Sequence, residues 1–288
     1  MMYAKFINSL GAEIEFTDTA PLILQEIDIS NSVNIYNSKG MCQDGSKYNG
    51  NTLDVKDITV QVALNASNPI ELDMLKDKIN IIFNPKLNEG YLIYKGKKIK
   101  CIINKLPYYN ENVNNIYCEC LIHLTAYNPF WNDIEDSKKQ IALWKGDFHF
   151  PLIIPQGKGI IMGHREPSLI VNVENKGQVK TGMIIEFYAR GTLKNPSLFN
   201  VNTREFIKIN KSMVAGEKII INTNYGKKKI LSISNGIETD ILNYLDIIGG
   251  GDTFLQLNVG DNLFRYNADE NLDNLEVNIY YNNNYLGV

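Results

Sequence analysis

The chain has 288 residues, of which 44% are hydrophobic and 21% are charged, and its formal net charge is −3 at pH 7. That length is enough for one large or two ordinary domains with apolar cores. The charge balance argues against a nucleic-acid-binding protein, because such a surface needs clustered lysine and arginine. No window of about eighteen uninterrupted apolar residues occurs, so no membrane span is expected. The first residues show no secretory signal, which predicts folding in the cytoplasm.

The first half contains a half-buried strand followed by a well-capped helix. Residues 57–65, DITVQVALN, alternate between apolar and polar side chains, which predicts a strand. Asn68 then suits the N-cap of a helix, Pro69 its first position, and Glu71 completes a capping box. Pro85 predicts the end of this helix, because proline disfavours helical geometry in the residue before it. The apolar residues at helical spacing are Leu72, Leu75, Ile79 and Ile82.

A long alternating strand is predicted over residues 116–127, after two strands around a basic turn in YLIYKGKKIKCIINK. The inward set is Ile116, Cys118, Cys120, Ile122, Leu124 and Ala126. The outward set is Tyr117, Glu119, Leu121, His123, Thr125 and Tyr127. Tyr117, Leu121 and Tyr127 would leave an apolar surface partly exposed in a monomer. Two interpretations stay open: these residues lie in a subunit interface, or another sheet of the same chain covers them. Strands with one packed helix make an α+β domain over residues 1–133.

The second half is predicted to be almost entirely β. Two prolines and four glycines mark residues 134–166 as a linker or extended connection. From residue 167 to 288, short strands alternate with Gly- and Asn-rich turns, which is typical of a β-sandwich or jelly roll. The predicted strands are 169–173, 183–188, 206–209, 218–222, 229–234, 253–259 and 275–281. The overall fold class is therefore mainly β.

No set of catalytic, cofactor-binding or metal-binding residues is evident in the sequence. The three histidines are scattered: His123, His149 and His164. Cys118 and Cys120 share a strand face, but His123 points the other way, so buried reduced cysteines are favoured over a zinc site. Glu186 and Asp240 could be the carboxylate pair of a glycosidase, but a chain of this size offers many such pairs, and exposed loop carboxylates are favoured. The aspartates 252, 261, 269 and 273 lack the spacing of a dedicated calcium loop, and solvated turns are favoured. An enzyme acting on the host cell wall is therefore the weakest interpretation.

Several segments, taken in order, resemble the distal tail protein family of phages and phage-like particles. MCQDGSKYNGNTLDVKDITVQVAL is similar to the family's glycine-rich turn and following strand, and the capped helix NPIELDMLKDKINIIFNP comes in the expected place. LIHLTAYNPFWND resembles a strand that ends in an Asp-Pro-aromatic-Trp turn, with Asn128 where the family often has Asp. VNVENKGQVKTGMIIEFYARGTLKNPSLFNVNTREFIKIN and LNVGDNLFRYNADENLDNLEVNIYYNNNYLGV resemble its later strands. The resemblance covers nearly the whole chain.

The resemblance implies a structural role and not an enzymatic one. It implies a homohexameric ring at the distal end of the tail tube, formed by the N-terminal domain, with a galectin-like C-terminal sandwich outside. The implied partners are other copies of the chain, the tail tube protein and the tail-tip or baseplate hub, and some relatives carry receptor-binding proteins. The implied location is the tail tip or baseplate of a virion or phage-like particle. No cofactor is implied.

The aromatic cluster at the predicted domain boundary has two interpretations. Its residues are Tyr127, Asn128, Pro129, Phe130 and Trp131. Large aromatics bury much area and proline fixes the backbone, so the cluster is interpreted as a rigid corner that orients the second domain. The alternative is an ordinary core plug of the first domain.

A carbohydrate-binding protein is the alternative function from a different class. In this interpretation, the sandwich binds a cell-surface glycan, with exposed aromatic side chains stacking on sugar rings. The candidate residues are Tyr225, Tyr244 and Tyr285. Packing between strands is the competing role for these tyrosines.

Overall fold

The structure is a computed structural model that describes residues 3–110, 115–141, 144–146, 163–165 and 170–288. It divides the chain into two compact units. The first contains Met1–Ile134 together with Tyr285–Val288, and the second contains Glu135–Asn284. The chain therefore passes to the second unit after Ile134 and returns to the first at Tyr285.

The first unit combines a large antiparallel sheet with the one α-helix of the described residues. Its elements are β1 (Ala4–Ile7), β2 (Glu13–Phe16), β3 (Leu22–Ser38), β4 (Lys47–Asn65), α1 (Pro69–Ile82), β5 (Glu89–Tyr94), β6 (Lys97–Ile103), β7 (Tyr108–Asn110), β8 (Tyr117–Ala126) and β9 (Trp131–Asp133). A 3₁₀ turn, Pro85–Leu87, follows the helix. The main strand order is β2-β1-β5-β6-β8-β4-β3, with β7 added to β8 and β9 to β6.

The helix begins as predicted. The Oδ1 atom of Asn68 accepts a hydrogen bond from the Glu71 backbone N–H at 2.9 Å. The Glu71 carboxylate in turn accepts one from the N–H of Ser67, the residue before the cap, at 2.8 Å, so two reciprocal hydrogen bonds fix the start of the helix. The predicted apolar stripe packs inward, with Leu72, Ile79 and Ile82 buried.

The second unit is entirely β in its described part, apart from 3₁₀ turns at Leu242–Tyr244 and Leu272–Asn274. Its strands are β10 (Ser137–Gln140), β11 (Trp144–Gly146), β12 (Gly163–Arg165), β13 (Ile170–Asn175), β14 (Met183–Ala189), β15 (Leu193–Lys194), β16 (Ser197–Asn200), β17 (Phe206–Lys208), β18 (Ser212–Met213), β19 (Lys218–Asn222), β20 (Lys229–Ser234), β21 (Ile237–Asp240), β22 (Gly260–Asn267) and β23 (Leu275–Tyr281). The last strand of the chain, β24, is Asn284–Tyr285.

Two sheets share one apolar core in the second unit, which makes it a sandwich as predicted. The six-stranded sheet has the order β10-β23-β14-β19-β20-β21, and the four-stranded sheet has the order β13-β22-β16-β17. Inward-facing residues of both sheets contribute to the same cluster, for example Phe187 of β14 and Phe264 of β22. The mainly β fold class is confirmed.

The structure differs from the sequence predictions at several strands of the second unit; Ser197–Asn200 and Ile237–Asp240, for example, were not predicted, and two further differences have a clear physical reason. The strand predicted at 253–259 is wrong: in that segment the backbone makes a single bridge, from Leu257 to Thr181. Leu255 and Leu257 are apolar because they face the core, and not because they belong to a regular strand. The strand at Gly260–Asn267 was missed, because one of its inward residues is Asn262, which breaks the apolar alternation.

The predicted linker, 134–166, lies mostly outside the described residues. Of its described part, Ser137–Gln140 pairs with β23 as a strand of the second unit. The prediction placed residues 285–288 in the second domain, whereas the structure places them in the first unit. The reason is packing, because Tyr285 lies against the core of the first unit.

Candidate assembly surfaces

The first unit carries a long hairpin, defined here as the arm, residues 30–55, and formed by the outer parts of β3 and β4. The two strands stay paired out to Ser38 and Lys47, but β8 pairs with β4 only as far as Lys56. Beyond that point the described strands of the arm pair only with each other. At about 3.3 Å per residue, residues 30–38 extend roughly 30 Å past the sheet.

Large apolar side chains are exposed along the arm. Every residue from 30 to 49 is exposed, and the large hydrophobic ones are Val33, Ile35, Tyr36, Met41 and Tyr48. An isolated two-stranded hairpin is only marginally stable in water, and contiguous exposed apolar surface usually marks an interaction site. The arm therefore has the properties of an element that another surface covers.

The arm also contains irregularities that hinder pairing of its edges with strands of other chains. Its register shifts at Asn31/Val33 and again at Tyr36/Asn37. Such bulges bend and twist a hairpin and make its edges poor templates for other chains. Gly50, opposite Tyr36, has φ +135°, which L side chains rarely adopt. The arm is therefore a poor template for pairing with a strand of another chain.

Tyr117 and Leu121, the predicted interface residues, lie on the outward face of β8. Both are half-buried. The Tyr117 hydroxyl accepts a hydrogen bond from Gln25 Nε2 at 3.3 Å and donates one to Glu119 Oε1 at 3.2 Å. Leu121 lies opposite Tyr108 of β7, which is 60% exposed. An aromatic and aliphatic patch thus remains open to solvent in the described structure, and its interface role stays a prediction.

The structure separates the five residues of the predicted corner. Tyr127 is 70% exposed and Trp131 is fully buried in the core of the first unit. Asn128 Oδ1 accepts a hydrogen bond from the Phe130 N–H at 3.3 Å, as expected for a turn-forming Asn. Pro129 and Phe130 are half-buried. Trp131 therefore fills the core, and the orienting role of the cluster stays a prediction.

A buried lysine lies beside this tryptophan at the root of the arm. Lys56 is 1% exposed, and its Nζ atom is 6.0 Å from the centre of the Trp131 ring. The same Nζ donates a hydrogen bond to the Leu286 carbonyl at 2.8 Å. Burial lowers the pKa of Lys56. Sequence reasoning missed this contact, because no local pattern connects residues 56 and 286.

The candidate chemical groups are not assembled into a reactive site in the described residues. The described part of the chain contains no group of three or more His, Cys, Asp or Glu side chains that could hold a metal ion. The His123 ring contacts Thr59 Oγ1 through Nδ1 at 3.2 Å, on the face opposite the buried Cys118 and Cys120. His149 lies outside the described residues, and only the backbone of His164 is described.

Glu186 and Asp240 lie too far apart for a glycosidase pair. Register places two strands between them, since Glu186 pairs with Ile220, which pairs with Leu231, which pairs with Asp240. Three steps of about 4.8 Å give roughly 14 Å, whereas the two carboxyl groups of a glycosidase are about 5–9.5 Å apart.

The three tyrosines proposed to bind sugars fall in different settings. Tyr225 is 97% and Tyr244 is 42% exposed in the second unit. Tyr285 was wrongly placed in the sandwich. It belongs to the first unit, where Lys97 Nζ lies 3.7 Å from the centre of its ring.

Two family models match the sequence in succession. The model of the phage tail protein RIFT-related domain matches residues 9–161. The chain belongs to this phage tail protein family. The model of the siphovirus-type tail component, C-terminal domain, matches residues 176–285. The chain is thus a distal tail or baseplate component, with a structural adaptor role in the virion.

Solved phage structures have the same fold. One is the crystal structure of SPP1 Dit (gp 19.1), described as a paradigm of the hub adsorption apparatus in phages that infect Gram-positive bacteria. It is similar to this chain with a TM-score of 0.68 and 9% sequence identity, over 98% of this chain and 99% of that one. A chain of the phage P2 baseplate in its activated conformation with Ca is similar with a TM-score of 0.53 and 12% identity, over 100% and 99%. The same baseplate with Sr gives 0.51 and 11%, with the same coverage.

At these identities the likeness shows the fold alone. No curated protein sequence matches the chain. No helix in the described part is long and apolar enough to cross a membrane.

Proposed function

We propose that the protein is a ring-forming adaptor, in which the arm of one copy lies against the first unit of the next copy. The ring joins the tail tube protein on one side to the tail-tip or baseplate hub on the other, and the second unit is available to carry a receptor-binding protein. Six copies are expected from the family resemblance. The observation that carries this proposal is the arm, with its exposed apolar side chains.

A ring needs a contact between two different surfaces of each subunit, arranged head to tail so that the rotation closes. The arm supplies one such surface, because it extends away from the sheet that holds its root. Two arms meeting each other would use the same surface twice and would give a dimer. The arm therefore has to meet a different part of its neighbour.

The outward face of β8 is the second surface in this proposal. Leu121 and Tyr108 offer apolar area there, and Tyr117 adds a hydroxyl that is already held in place by Gln25 and Glu119. The arm offers aliphatic groups at Val33 and Ile35. Apolar groups on both surfaces match the composition of permanent interfaces, which are large and rich in apolar contacts.

The mass of the purified protein in solution, measured by light scattering with negative-stain images of the same sample, tests the proposal. The wild-type chain is expected to form rings of about six subunits. Val33→Asp with Ile35→Asp is expected to give monomers with the same thermal stability, because both side chains are exposed within one chain. Leu121→Asp on the opposite surface is expected to have the same effect on assembly.

Ile70→Asp is the matched control. Ile70 is 74% exposed in the same unit and lies in the first turn of α1, where an acidic residue is tolerated or favourable. The control is expected to assemble like the wild type. Rings that survive both the arm and the β8 substitutions would show that the interface lies elsewhere.

A further inference from the structure

The second unit has a shallow groove on the outward face of its six-stranded sheet. Its volume is about 430 Å³, and its lining residues are Ile220, Asn222, Lys227, Lys228, Lys229 and Leu231. Alternate residues of β19, Ile219 and Ile221, point into the core, so Ile220 and Asn222 face outward. The floor of the groove is therefore aliphatic, and one end is formed by the turn between β19 and β20.

That end of the groove is positively charged. Three successive lysines, residues 227–229, line it, and none of the six lining residues is acidic. Two carboxylates border the floor on the same face, away from the lysine end: Glu186 lies opposite Ile220 and accepts a hydrogen bond from Asn278 Nδ2 at 2.9 Å, and Asp240 lies opposite Leu231 and accepts one from the Leu242 N–H at 3.0 Å. An anionic group is therefore the expected ligand chemistry at the lysine end.

An exposed aromatic ring stands at the same end. Tyr225 is 97% exposed in the β19–β20 turn. The turn is held by hydrogen bonds from the Asn224 N–H and Nδ2 to Asn222 Oδ1, at 3.0 and 2.9 Å. A Cβ atom on Gly182 would lie 2.6 Å from Asn224 Cα, so this glycine lets the turn pack closely against the neighbouring strand. The ring of Tyr225 is thus presented by a well-supported turn.

Polar groups continue from the groove floor across the sheet. Ile220 pairs with Glu186, and Glu186 pairs with Asn278, so Asn278 lies about 10 Å from the floor on the same face. Asn278 is 7% exposed, yet its Oδ1 atom has no hydrogen-bond partner among the described residues. A buried acceptor without a partner is costly. Because this atom is closed to solvent and Glu186 lies between it and the floor, Asn278 is not a ligand contact, and the amide of the groove itself is that of Asn222.

We propose that this groove binds a saccharide that carries an anionic group. Aliphatic and aromatic side chains match the C–H faces of a sugar ring, amides match its hydroxyls, and the three lysines match a phosphate or carboxylate. The volume lies in the range of small-molecule sites, about 300–1,000 Å³. A protein partner would need an interface of at least about 1,000 Å², for which the groove is too small.

Calorimetric titration of the full chain tests the proposal with four probes: glucose 6-phosphate, glucuronic acid, glucose and inorganic phosphate. The sugar phosphate or the sugar acid is expected to bind with a Kd at least about tenfold lower than glucose and inorganic phosphate. Comparing the two charged sugars shows which anionic group the lysines prefer. Binding is expected to weaken as salt increases, because the lysines are exposed to solvent.

The variant K227Q/K228Q/K229Q is expected to raise the Kd of the charged sugar at least about tenfold. The variant K78Q/K86Q/K105Q removes the same charge from exposed positions in the first unit, and its Kd is expected to equal that of the wild type. Tyr225→Ala is expected to weaken the charged sugars without changing the affinity for inorganic phosphate. Ring formation is expected to persist in all three variants, which separates this test from that of the proposed function.

Three results would overturn the proposal. The first is no saturable heat with any probe. The second is equal affinity for glucose 6-phosphate and inorganic phosphate, which would indicate an anion site without sugar recognition. The third is an unchanged Kd in the K227Q/K228Q/K229Q variant.

Discussion

Two hairpins of this chain, the β19–β20 hairpin and the arm, have opposite environments. The β19–β20 hairpin lies in the middle of a sheet, and its inward residues, such as Ile221 and Ile230, are fully buried. The arm, at the outer part of β3 and β4, exposes residues such as Ile35 on its faces. An isoleucine therefore stabilises the fold in one hairpin and is left for a partner in the other. Burial in the folded chain, and not residue type, decides which role it has.

At the root of the arm, core packing and the exposed hairpin adjoin each other, and Trp131 lies there beside Lys56. Truncation of Trp131 is expected to cause the largest loss of stability. Trp131→Ala removes a fully buried ring from the core of the first unit. We expect a loss of about 3–5 kcal/mol in the free energy of unfolding, measured by urea denaturation, together with loss of rings. Tyr91→Ala, at a 41% exposed position of the same unit outside the cluster, is the control. Unchanged stability and assembly in Trp131→Ala would refute the corner interpretation.

The same truncation in the two hairpins tests the comparison directly. Ile221→Ala is expected to lower the free energy of unfolding by about 2–5 kcal/mol, because it leaves a cavity in the sandwich core. Ile35→Ala is expected to change it by no more than about 0.5 kcal/mol in the unassembled chain. Thermal or urea unfolding at a concentration below assembly measures both. Similar losses in the two variants would mean that the arm is already packed within one chain.

A buried carboxylate anchors the end of the β19–β20 hairpin and makes it sensitive to pH. Burial by itself raises the pKa of Glu217. Hydrogen bonds from Lys211, Ser232 and the Val214 N–H lower it by more, so the pKa lies below its usual value of 4.5. The Ser232 hydroxyl donates at 2.5 Å and the Val214 N–H at 3.1 Å.

A carboxyl group with a depressed folded-state pKa stabilises the fold above its unfolded value, and this stability is lost as the pH falls through the folded value. We therefore expect the Tm of the second unit to fall as the pH is lowered below about 4.5. Glu217→Gln is expected to have a lower Tm at neutral pH and a flatter decline in acid. Glu205→Gln, an exposed residue of the same unit, is the control. Identical pH profiles for Glu217→Gln and the wild type would contradict this assignment.

The smallest expected effect is a difference in thiol reactivity between the arm and the core. Cys42 lies exposed in the turn of the arm, whereas Cys101, Cys118 and Cys120 are buried. Burial raises the pKa of Cys101 to about 12, and burial together with the neighbouring Cys118 raises that of Cys120 to about 12. A thiolate is the reactive form.

We expect an aromatic disulfide reagent to modify one thiol in the native monomer and four after unfolding. In assembled rings, a slower reaction of Cys42 would indicate that the turn of the arm is covered. Cys42→Ser is the control and is expected to show no fast-reacting thiol. Rapid modification of more than one thiol in the native chain would show that the core of the first unit opens.

Local patterns predicted the elements whose signals lie within a few residues. The helix Pro69–Ile82 was predicted because Asn68, Pro69 and Glu71 form its start from neighbouring atoms. The strands Lys218–Asn222, Lys229–Ser234 and Leu275–Tyr281 were predicted with the bounds that the structure has. The inward residues of β19 and β20 are apolar, with the exception of Ser232, whose hydroxyl donates a hydrogen bond to Glu217.

The arm was not predicted, although its strands were partly visible in the sequence. Residues 47–65 form one strand, of which only 57–65 were recognised. Where β4 enters the sheet, one of its faces is buried and shows the alternation; in the arm, neither face is buried by the chain. A strand that no core contacts has no reason to alternate, so periodicity could not reveal it.

By itself, the sequence determined the fold class, the capped helix, most strands of the sandwich and the family. These depend on backbone preferences and on side chains a few residues apart. The tertiary structure alone decided that Tyr285 joins the first unit, that Lys56 bonds to Leu286, that the arm extends past its sheet, and that lysines 227–229 line a groove. The first two depend on which distant segments pack together, and the last two on which parts of a hairpin the rest of the chain leaves uncovered. Neither is recorded in a local pattern.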